Sequence, residues 1–197
     1  MANKQVQFFF DVGSPASYLA WTQLPALCAA AGAELVLRPM LLGGVFQATG
    51  NQSPVTVPAK GRYMQADLAR FAGRYGVPYQ HNPHFPINTL VLMRGATGLQ
   101  LRQPERVDAY LRCVFQAIWV DGVNMNDAAE VARVLVAGGF DPAQLLALAN
   151  DEATKAALRA TTEEAVARGV FGAPTMFVGD EMFFGQDRLD WVKDALA

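Results

Sequence analysis

The chain has 197 residues, of which 52% are hydrophobic and 17% charged, with a formal net charge of -2. This composition excludes a disordered chain and gives no basic excess for binding nucleic acid, so the expected partner is a small, water-soluble ligand. No apolar run reaches the roughly 20 residues of a membrane span, and the opening MANKQVQ does not resemble a targeting segment, so we expect a cytoplasmic protein with no membrane partner.

The first elements predict a β-α-β unit. Residues 6–11 form a short aromatic run typical of a buried strand. Ser14 follows as the predicted N-cap of a helix that Gly32 ends, and Pro25 inside that helix predicts a kink. A second strand is predicted over Glu34–Pro39.

The middle of the chain changes character. Residues 40–58 are rich in Gly, Pro, Asn, Ser and Thr without a sustained period, which predicts a long surface loop of the kind that is often functional. Helices separated by breakers are predicted after it, over 60–75, 87–101, 104–120, 126–137 and 142–149.

The last part of the chain returns to mixed structure. A helix over 151–168 precedes two short strands, Thr175–Val178 and Glu181–Phe184, and a closing helix over 187–196. The order β-α-β, helical block, α-β-β-α predicts an α/β thioredoxin-like fold with a helical insertion. We expect residues 1–42 and 150–197 to form the thioredoxin-like domain and residues 43–149 the inserted helical domain.

Four segments carry a family resemblance: FDVGSPASYLA at 10–20, GNQSPVTVPAKG at 50–61, GAPTMFV at 172–178 and FFGQDRL at 183–189. Together they resemble the 2-hydroxychromene-2-carboxylate isomerases and the kappa-class glutathione transferases. Both belong to the wider family built like the disulfide oxidoreductase of the bacterial periplasm. The resemblance spans the whole chain and implies a homodimer that binds glutathione and no metal.

Ser14 stands where thioredoxin-like proteins normally hold the reactive cysteine of C-x-x-C. The N-terminus of a helix stabilises a thiolate, whether the sulfur belongs to the protein or to a ligand. Because no histidine lies in this segment to activate the hydroxyl, Ser14 is predicted to donate a hydrogen bond to the glutathione sulfur rather than attack a substrate. The alternative is that Ser14 only caps the helix.

The remaining cysteines do not supply this chemistry. Cys28 and Cys113 are far apart and form no C-x-x-C pair, so we expect two buried, unreactive thiols and neither a redox dithiol nor a zinc site. His81 and His84 bracket Asn82-Pro83 with no carboxylate or thiolate nearby, an incomplete ligand set that favours loop structure or substrate contact over metal.

The resemblance assigns further glutathione contacts. It implies a cis peptide bond at Pro174 and backbone pairing between Ala173 and the cysteinyl unit, although an ordinary trans proline at the start of a strand is the alternative. Gln186 and Asp187 are implied to bind the γ-glutamyl unit. The alternative for Asp187 is that it is simply an acidic residue in the first turn of the last helix, where a negative charge is favourable. The kappa-class pattern usually has serine in place of Gln186.

Asn51 and Lys60 match polar positions that face glutathione or the acidic substrate in the family. Arg62 can supply the same positive charge, and a solvated surface lysine is the alternative for Lys60. Aromatic side chains form either an apolar pocket for a ring-shaped substrate or part of the core. These are Phe46, Tyr63, Phe85 and Trp119.

The resemblance implies a glutathione-dependent cis-trans isomerase in aromatic, naphthalene-type catabolism. It would interconvert 2-hydroxychromene-2-carboxylate, a small aromatic carboxylate, and trans-o-hydroxybenzylidenepyruvate. The alternative is a kappa-class-like glutathione transferase that acts on another electrophile and releases a conjugate. A thiol–disulfide oxidoreductase is disfavoured by the missing C-x-x-C, and a non-catalytic binding module by the retained serine.

Overall fold

The computed structural model describes residues 4–197. Its strands are β1 (Gln5–Phe10), β2 (Glu34–Pro39), β3 (Thr175–Val178) and β4 (Glu181–Phe184). The α-helices of this part of the chain are α1 (Pro15–Ala31), α2 (Leu42–Thr49), α3 (Pro58–Tyr75), α4 (Leu90–Arg102), α5 (Val107–Trp119), α6 (Ala128–Ala137), α7 (Pro142–Asn150), α8 (Glu152–Ala167) and α9 (Leu189–Ala195). Short 3-10 turns cover Pro54–Thr56, Pro104–Arg106 and Gln186–Arg188.

The two ends of the chain form one sheet with the order β2-β1-β3-β4. Strands β1 and β2 are parallel and are connected by α1, whereas β3 is antiparallel to both β1 and β4. In the β1–β3 pair Val6 lies opposite Val178 and Phe9 opposite Thr175. The pairing of β1 with β3 confirms the thioredoxin-like order predicted from the sequence.

Side chains alternate across β1 and give the sheet two apolar faces. Phe8 and Phe10 are buried in the larger core, with their ring centroids 5.1 Å apart. Phe9 points to the opposite face, where its ring meets Phe177 at 5.6 Å in a smaller cluster. Because successive side chains of a strand point to opposite sides, this short run anchors both layers.

Helix α1 begins and ends as the sequence predicts. The Ser14 side chain accepts a hydrogen bond from the Ser17 N–H, and Gly32 closes the helix in the left-handed conformation at φ 63°. The helix continues through Pro25 to Ala31, so the predicted kink does not end it.

The predicted loop over residues 40–58 is wrong, because this segment contains α2 and a 3-10 turn. The first N–H of α2, from Leu42, donates to Oδ2 of Asp11 at 2.8 Å, and Val45 is fully buried. The glycines Gly43 and Gly44 weaken the local helical signal, and long-range contacts compensate for them. The proposed domain boundaries at residues 42–43 and 149–150 stay a prediction.

The other helices lie close to their predicted ranges. The largest differences are at the starts of α4 and α5, which begin at Leu90 and Val107 rather than at residues 87 and 104. At the end of the chain a 3-10 turn covers Gln186–Arg188, and α9 starts at Leu189 rather than at Asp187. Within residues 4–197, no single helix has the length and apolar character of a membrane span. Helices α6 and α7 taken together have the length and apolar composition of a span, but they are bent by 116° at the break between them.

Candidate functional site

The Ser14 hydroxyl joins the start of α1 to the loop that precedes β3. Its Oγ donates to the carbonyl oxygen of Ala173 at 2.9 Å and accepts from the Ser17 N–H at 3.1 Å. Ser14 is 5% exposed, and no ionisable side chain within residues 4–197 forms a hydrogen bond with its hydroxyl. The residue is therefore a hydrogen-bond donor at the positive end of a helix, without a base that would make it a nucleophile.

A buried carboxylate holds the loop that carries Ser14. Oδ1 of Asp11 accepts from the Gly13 N–H at 2.9 Å, and Oδ2 accepts from the Leu42 N–H and the Thr89 hydroxyl at 2.8 and 3.0 Å. The Ser14 N–H donates to the Asp11 carbonyl at 3.0 Å. Burial raises the pKa of the Asp11 carboxyl, and the three hydrogen bonds to the side chain oppose that rise. Asp11 thus connects the start of α2 and the start of α4 to the Ser14 loop.

The loop before β3 contains the expected cis peptide bond between Ala173 and Pro174. The Pro174 carbonyl accepts from the Gly185 N–H at 3.0 Å, which joins this loop to the end of β4. A Cβ on Gly172 would lie 2.7 Å from the Phe184 ring, so a larger residue there requires this ring to move. The backbone N–H of Ala173 makes no hydrogen bond within the described part of the chain.

The two polar residues predicted between positions 50 and 61 differ in placement. The Asn51 side-chain amide donates to the Phe171 carbonyl at 2.8 Å, two residues before Ala173. Lys60 and Arg62 are exposed on the first turns of α3, and neither forms a hydrogen bond or ion pair with another described residue. The structure therefore brings Asn51 to the loop before β3 and leaves both cations in solvent.

Gln186 and Asp187 lie at the other end of the same loop system, just after Gly185. Gln186 is 9% exposed, and its carbonyl accepts from the Tyr75 hydroxyl of α3 at 2.5 Å. Asp187 is exposed and pairs with its neighbour Arg188. Gly185 has φ 103° and ψ 153°, a conformation almost confined to glycine, and this bend directs the chain into the 3-10 turn.

An aromatic cluster lies against the segment that leads to Ser14. The Trp119 indole N–H donates to the Val12 carbonyl at 2.8 Å, and its ring is 6.1 Å from Phe85 and 6.3 Å from Tyr79. Buried polar atoms in this cluster have no hydrogen-bond partner, namely the Tyr79 hydroxyl and Nδ1 of His81. Burial raises the pKa of Tyr79 to about 12 and lowers the pKa of His81.

The chain resembles known proteins over nearly its whole length. It is 33% identical over 195 residues to the 2-hydroxychromene-2-carboxylate isomerase of Sphingobium xenophagum, covering 98% of each chain. It is 30% identical to glutathione S-transferase kappa 1 of Rattus norvegicus, covering 96% of this chain and 89% of that one. A solved 2-hydroxychromene-2-carboxylate isomerase superposes with a TM-score of 0.86 at 31% identity, covering 98% of this chain and 94% of the other. The family model for the DSBA-like thioredoxin domain matches residues 5–197.

The chain belongs to the DSBA-like thioredoxin domain family. In this DSBA-like thioredoxin domain Ser14-Pro15-Ala16-Ser17 occupies the start of α1, and the cysteines lie elsewhere. Cys28 is buried, and that burial raises its pKa to about 11. Cys113 is only partly buried, its Sγ lies 3.3 Å from the Val134 carbonyl, and its pKa is also raised. Neither thiol has the lowered pKa of a reactive cysteine.

Hydrogen bonds of the loop before β3 bring together Ser14, Asn51, Ala173 and Pro174, and Gly185 joins this loop to the adjacent residues Gln186 and Asp187, which themselves make no hydrogen bond to it among the described residues. Among the described residues no group of three or more His, Cys, Asp or Glu side chains is placed to hold a metal ion. Sequence reasoning missed Asp11 and Gly185. The signal for Asp11 was an acid directly after a buried strand, and the signal for Gly185 was a glycine between a strand and a helix.

Proposed function

We propose that this protein is a glutathione-dependent isomerase that interconverts 2-hydroxychromene-2-carboxylate and trans-o-hydroxybenzylidenepyruvate. The observation that carries the proposal is the contact of Ser14 with Ala173, which sets a hydroxyl donor at the start of α1 beside a cis-proline loop. The similarity to proteins named as isomerases and as kappa-class glutathione transferases supports the same choice. The proposal extends to a cytoplasmic homodimer that acts in the breakdown of naphthalene-type aromatic compounds.

The residues around Ser14 fit glutathione. Among the described residues the N–H of Ala173 has no acceptor and its carbonyl accepts only from Ser14. These two groups form a peptide edge that can pair with a peptide-like ligand in the manner of a strand. The Ser14 hydroxyl has one proton, which it gives to the Ala173 carbonyl. A thiolate sulfur is a competing acceptor for that proton, and the first turn of α1 favours its negative charge.

When bound, glutathione would supply a thiolate that adds reversibly to the unsaturated carbon of the ring-opened substrate, so that a double bond becomes single and can rotate. Ser14 would hold the sulfur as an anion by donating its proton. Ala173 would fix the cysteinyl backbone, and Asp187 would receive the amino group of the γ-glutamyl unit. Fixing both reactants in this way replaces an encounter in solution by a positioned reaction.

The carboxylate of the substrate requires a cation or an amide donor. Lys60 meets that need as a cation on α3 that pairs with no other described residue, and Asn51, between α2 and α3, supplies a side-chain amide that contacts the loop before β3. Phe85 is partly buried and offers an aromatic ring near the segment that leads to Ser14, which suits a ring-shaped substrate, whereas Trp119 is fully buried and belongs to the core. Tyr63, by contrast, is 63% exposed on α3, and Phe46 is only partly buried on α2.

The alternative is a kappa-class-like transferase that uses the same thiolate and releases a conjugate, and one assay separates the two. The ultraviolet absorbance of 2-hydroxychromene-2-carboxylate is followed after adding enzyme and an amount of glutathione far below that of the substrate. Many turnovers per glutathione, with inhibition by S-methylglutathione, support the isomerase. Formation of one conjugate per glutathione consumed supports the transferase, and full activity in glutathione-free protein contradicts both.

A further inference from the structure

A groove of about 450 Å³ lies between α2, α4 and α8, and none of the residues that line it belongs to the Ser14 site. Its apolar lining includes Leu41, Leu90, Leu158 and Val166. Helix α2 contributes the small residues Gly44 and Ala48, which leave room above this apolar surface. The volume lies within the range of pockets that bind small molecules.

Two guanidinium groups that form no hydrogen bond or ion pair with another described residue line this groove. Eight of the twelve arginines donate a hydrogen bond or form an ion pair with another described residue. Of the other four, Arg62 and Arg74 are exposed on α3, whereas Arg94 and Arg159 both line the groove. Arg94 is partly buried, so its charge has lost part of its hydration without gaining an acceptor from the described residues.

The other charges of the groove do not neutralise both guanidiniums. Lys155 is already paired with Glu152 at 2.8 Å, and Glu152 also attracts Arg159 electrostatically without forming an ion pair with it. Glu163 lies four residues after Arg159 on α8 but forms no ion pair with it, and an arginine placed before a glutamate is the less favourable order in a helix. Arg94 and Arg159 together with Glu163 leave a net charge of +1, which matches a monovalent anion better than a phosphate ester.

We propose that this groove binds an organic monocarboxylate carried on an apolar ring. The guanidiniums on α4 and α8 bind the carboxylate, since a guanidinium fork matches its two oxygens, and the apolar lining takes the ring. The site is separate from the proposed glutathione site and does not depend on it. The two are linked through Asp11, which accepts from Leu42 and Thr89, the neighbours of the groove residues Leu41 and Leu90.

The test is a titration of the full chain with 2-naphthoate, followed by two-dimensional NMR of backbone amides and arginine Nε–H groups, without glutathione. We expect shifts at Gly44, Arg94 and Arg159 that saturate, and about tenfold weaker binding in each of Arg94→Gln and Arg159→Gln. Arg74→Gln, which removes an unpaired arginine outside the groove, is the matched control and leaves the affinity unchanged. The neutral 2-naphthamide binds more weakly, and S-methylglutathione does not displace 2-naphthoate.

Several outcomes overturn the proposal. Shifts confined to Ser14 and Ala173 assign 2-naphthoate to the other site. The guanidiniums have no role in binding if the wild type and both groove variants bind 2-naphthoate equally. The same holds if 2-naphthamide binds as tightly as 2-naphthoate, or if no shift saturates. Equivalent shifts at Arg94 and Arg159 with inorganic phosphate contradict the choice of a monocarboxylate. Amide spectra of the free variants that match the wild type show that the fold is retained.

Discussion

The Ser14 hydroxyl donates to the Ala173 carbonyl at 2.9 Å across 159 positions of sequence. The same oxygen caps α1 by accepting from the Ser17 N–H. One side chain therefore has a structural role as the cap of α1 and, in the proposed function, a second role as the donor to the glutathione sulfur. Mutations that separate these two roles test the proposed function.

Ser14→Ala should cost about 1 kcal/mol of unfolding free energy, the usual loss for a helix cap. Turnover should fall on the order of a hundredfold, because a donor to developing negative charge is lost. Denaturant unfolding and steady-state kinetics measure the two effects. The matched control is Asp127→Ala, which removes the cap of α6, a hydrogen bond of 2.8 Å to the Ala129 N–H. A similar loss of turnover in both variants would reduce Ser14 to a cap.

Asp11 predicts a pH dependence of stability. Because burial raises its pKa above the ordinary value of 3.8, the folded protein holds this proton more tightly than the unfolded chain. The stabilisation is complete below the unfolded pKa and is lost as the pH rises through the folded pKa. Asp11→Asn removes the titration, so the unfolding free energy of the wild type should fall relative to this variant as the pH rises above the ordinary value of 3.8.

Thr89→Val provides a second arm of the same test. The variant removes a hydrogen bond of 3.0 Å that favours the charged form of Asp11. Its destabilisation should therefore be larger at neutral pH than at acid pH. If the wild type instead becomes more stable relative to Asp11→Asn as the pH rises, the hydrogen bonds to Asp11 have a larger effect on its pKa than burial has.

Gly185→Ala should weaken glutathione binding as well as stability. Its φ of 103° disfavours any side chain, and a Cβ there would lie 2.4 Å from Oδ1 of Asp187, which must move. Gly179→Ala is the control, because Gly179 also has a positive φ, 59°, but an added Cβ meets nothing within 4 Å. Calorimetry should show weaker S-methylglutathione binding only for Gly185→Ala. Equal affinities of the two variants for S-methylglutathione would contradict a contact between Asp187 and the ligand.

Lys60 and Arg62 are two residues apart on α3, so their side chains lie about 200° apart around the helix and only one can face the site. We predict that Lys60→Gln raises the KM for the carboxylate substrate about tenfold with little change in kcat. Arg62→Gln should leave KM unchanged. Both residues are exposed, so neither change should alter the unfolding free energy by more than about 0.5 kcal/mol. The reverse ranking of the KM values would assign the contact to Arg62.

Local sequence signals predicted the elements whose boundaries depend on local chemistry. Ser14 and Gly32 mark the two ends of α1, and β2, β3 and β4 have the predicted bounds. Helix α2 was missed because its own residues argue against it. Its first turn contains Gly43 and Gly44, and its support comes from Asp11, 31 residues before Leu42.

The site was predicted in part, for the same reason. Ser14 stands out as a helix cap, but its proximity to Ala173 followed from a family resemblance and not from any local pattern. The role of Asp11 depends on Leu42 and Thr89, contacts that span 31 and 78 positions, so no window of sequence contains them. That Arg94 and Arg159 form no ion pair with any residue of 4–197 is likewise a property of the folded chain alone.

The most direct test of the central claim is a pH titration of the ultraviolet thiolate absorbance of glutathione bound to the wild type and to Ser14→Ala. We expect the wild type to lower the thiol pKa of bound glutathione below that of free glutathione, because both Ser14 and the start of α1 favour the anion. Ser14→Ala should move the pKa back toward the free value while glutathione still binds. Superimposable titration curves for the two proteins would contradict the proposal that Ser14 activates the thiol.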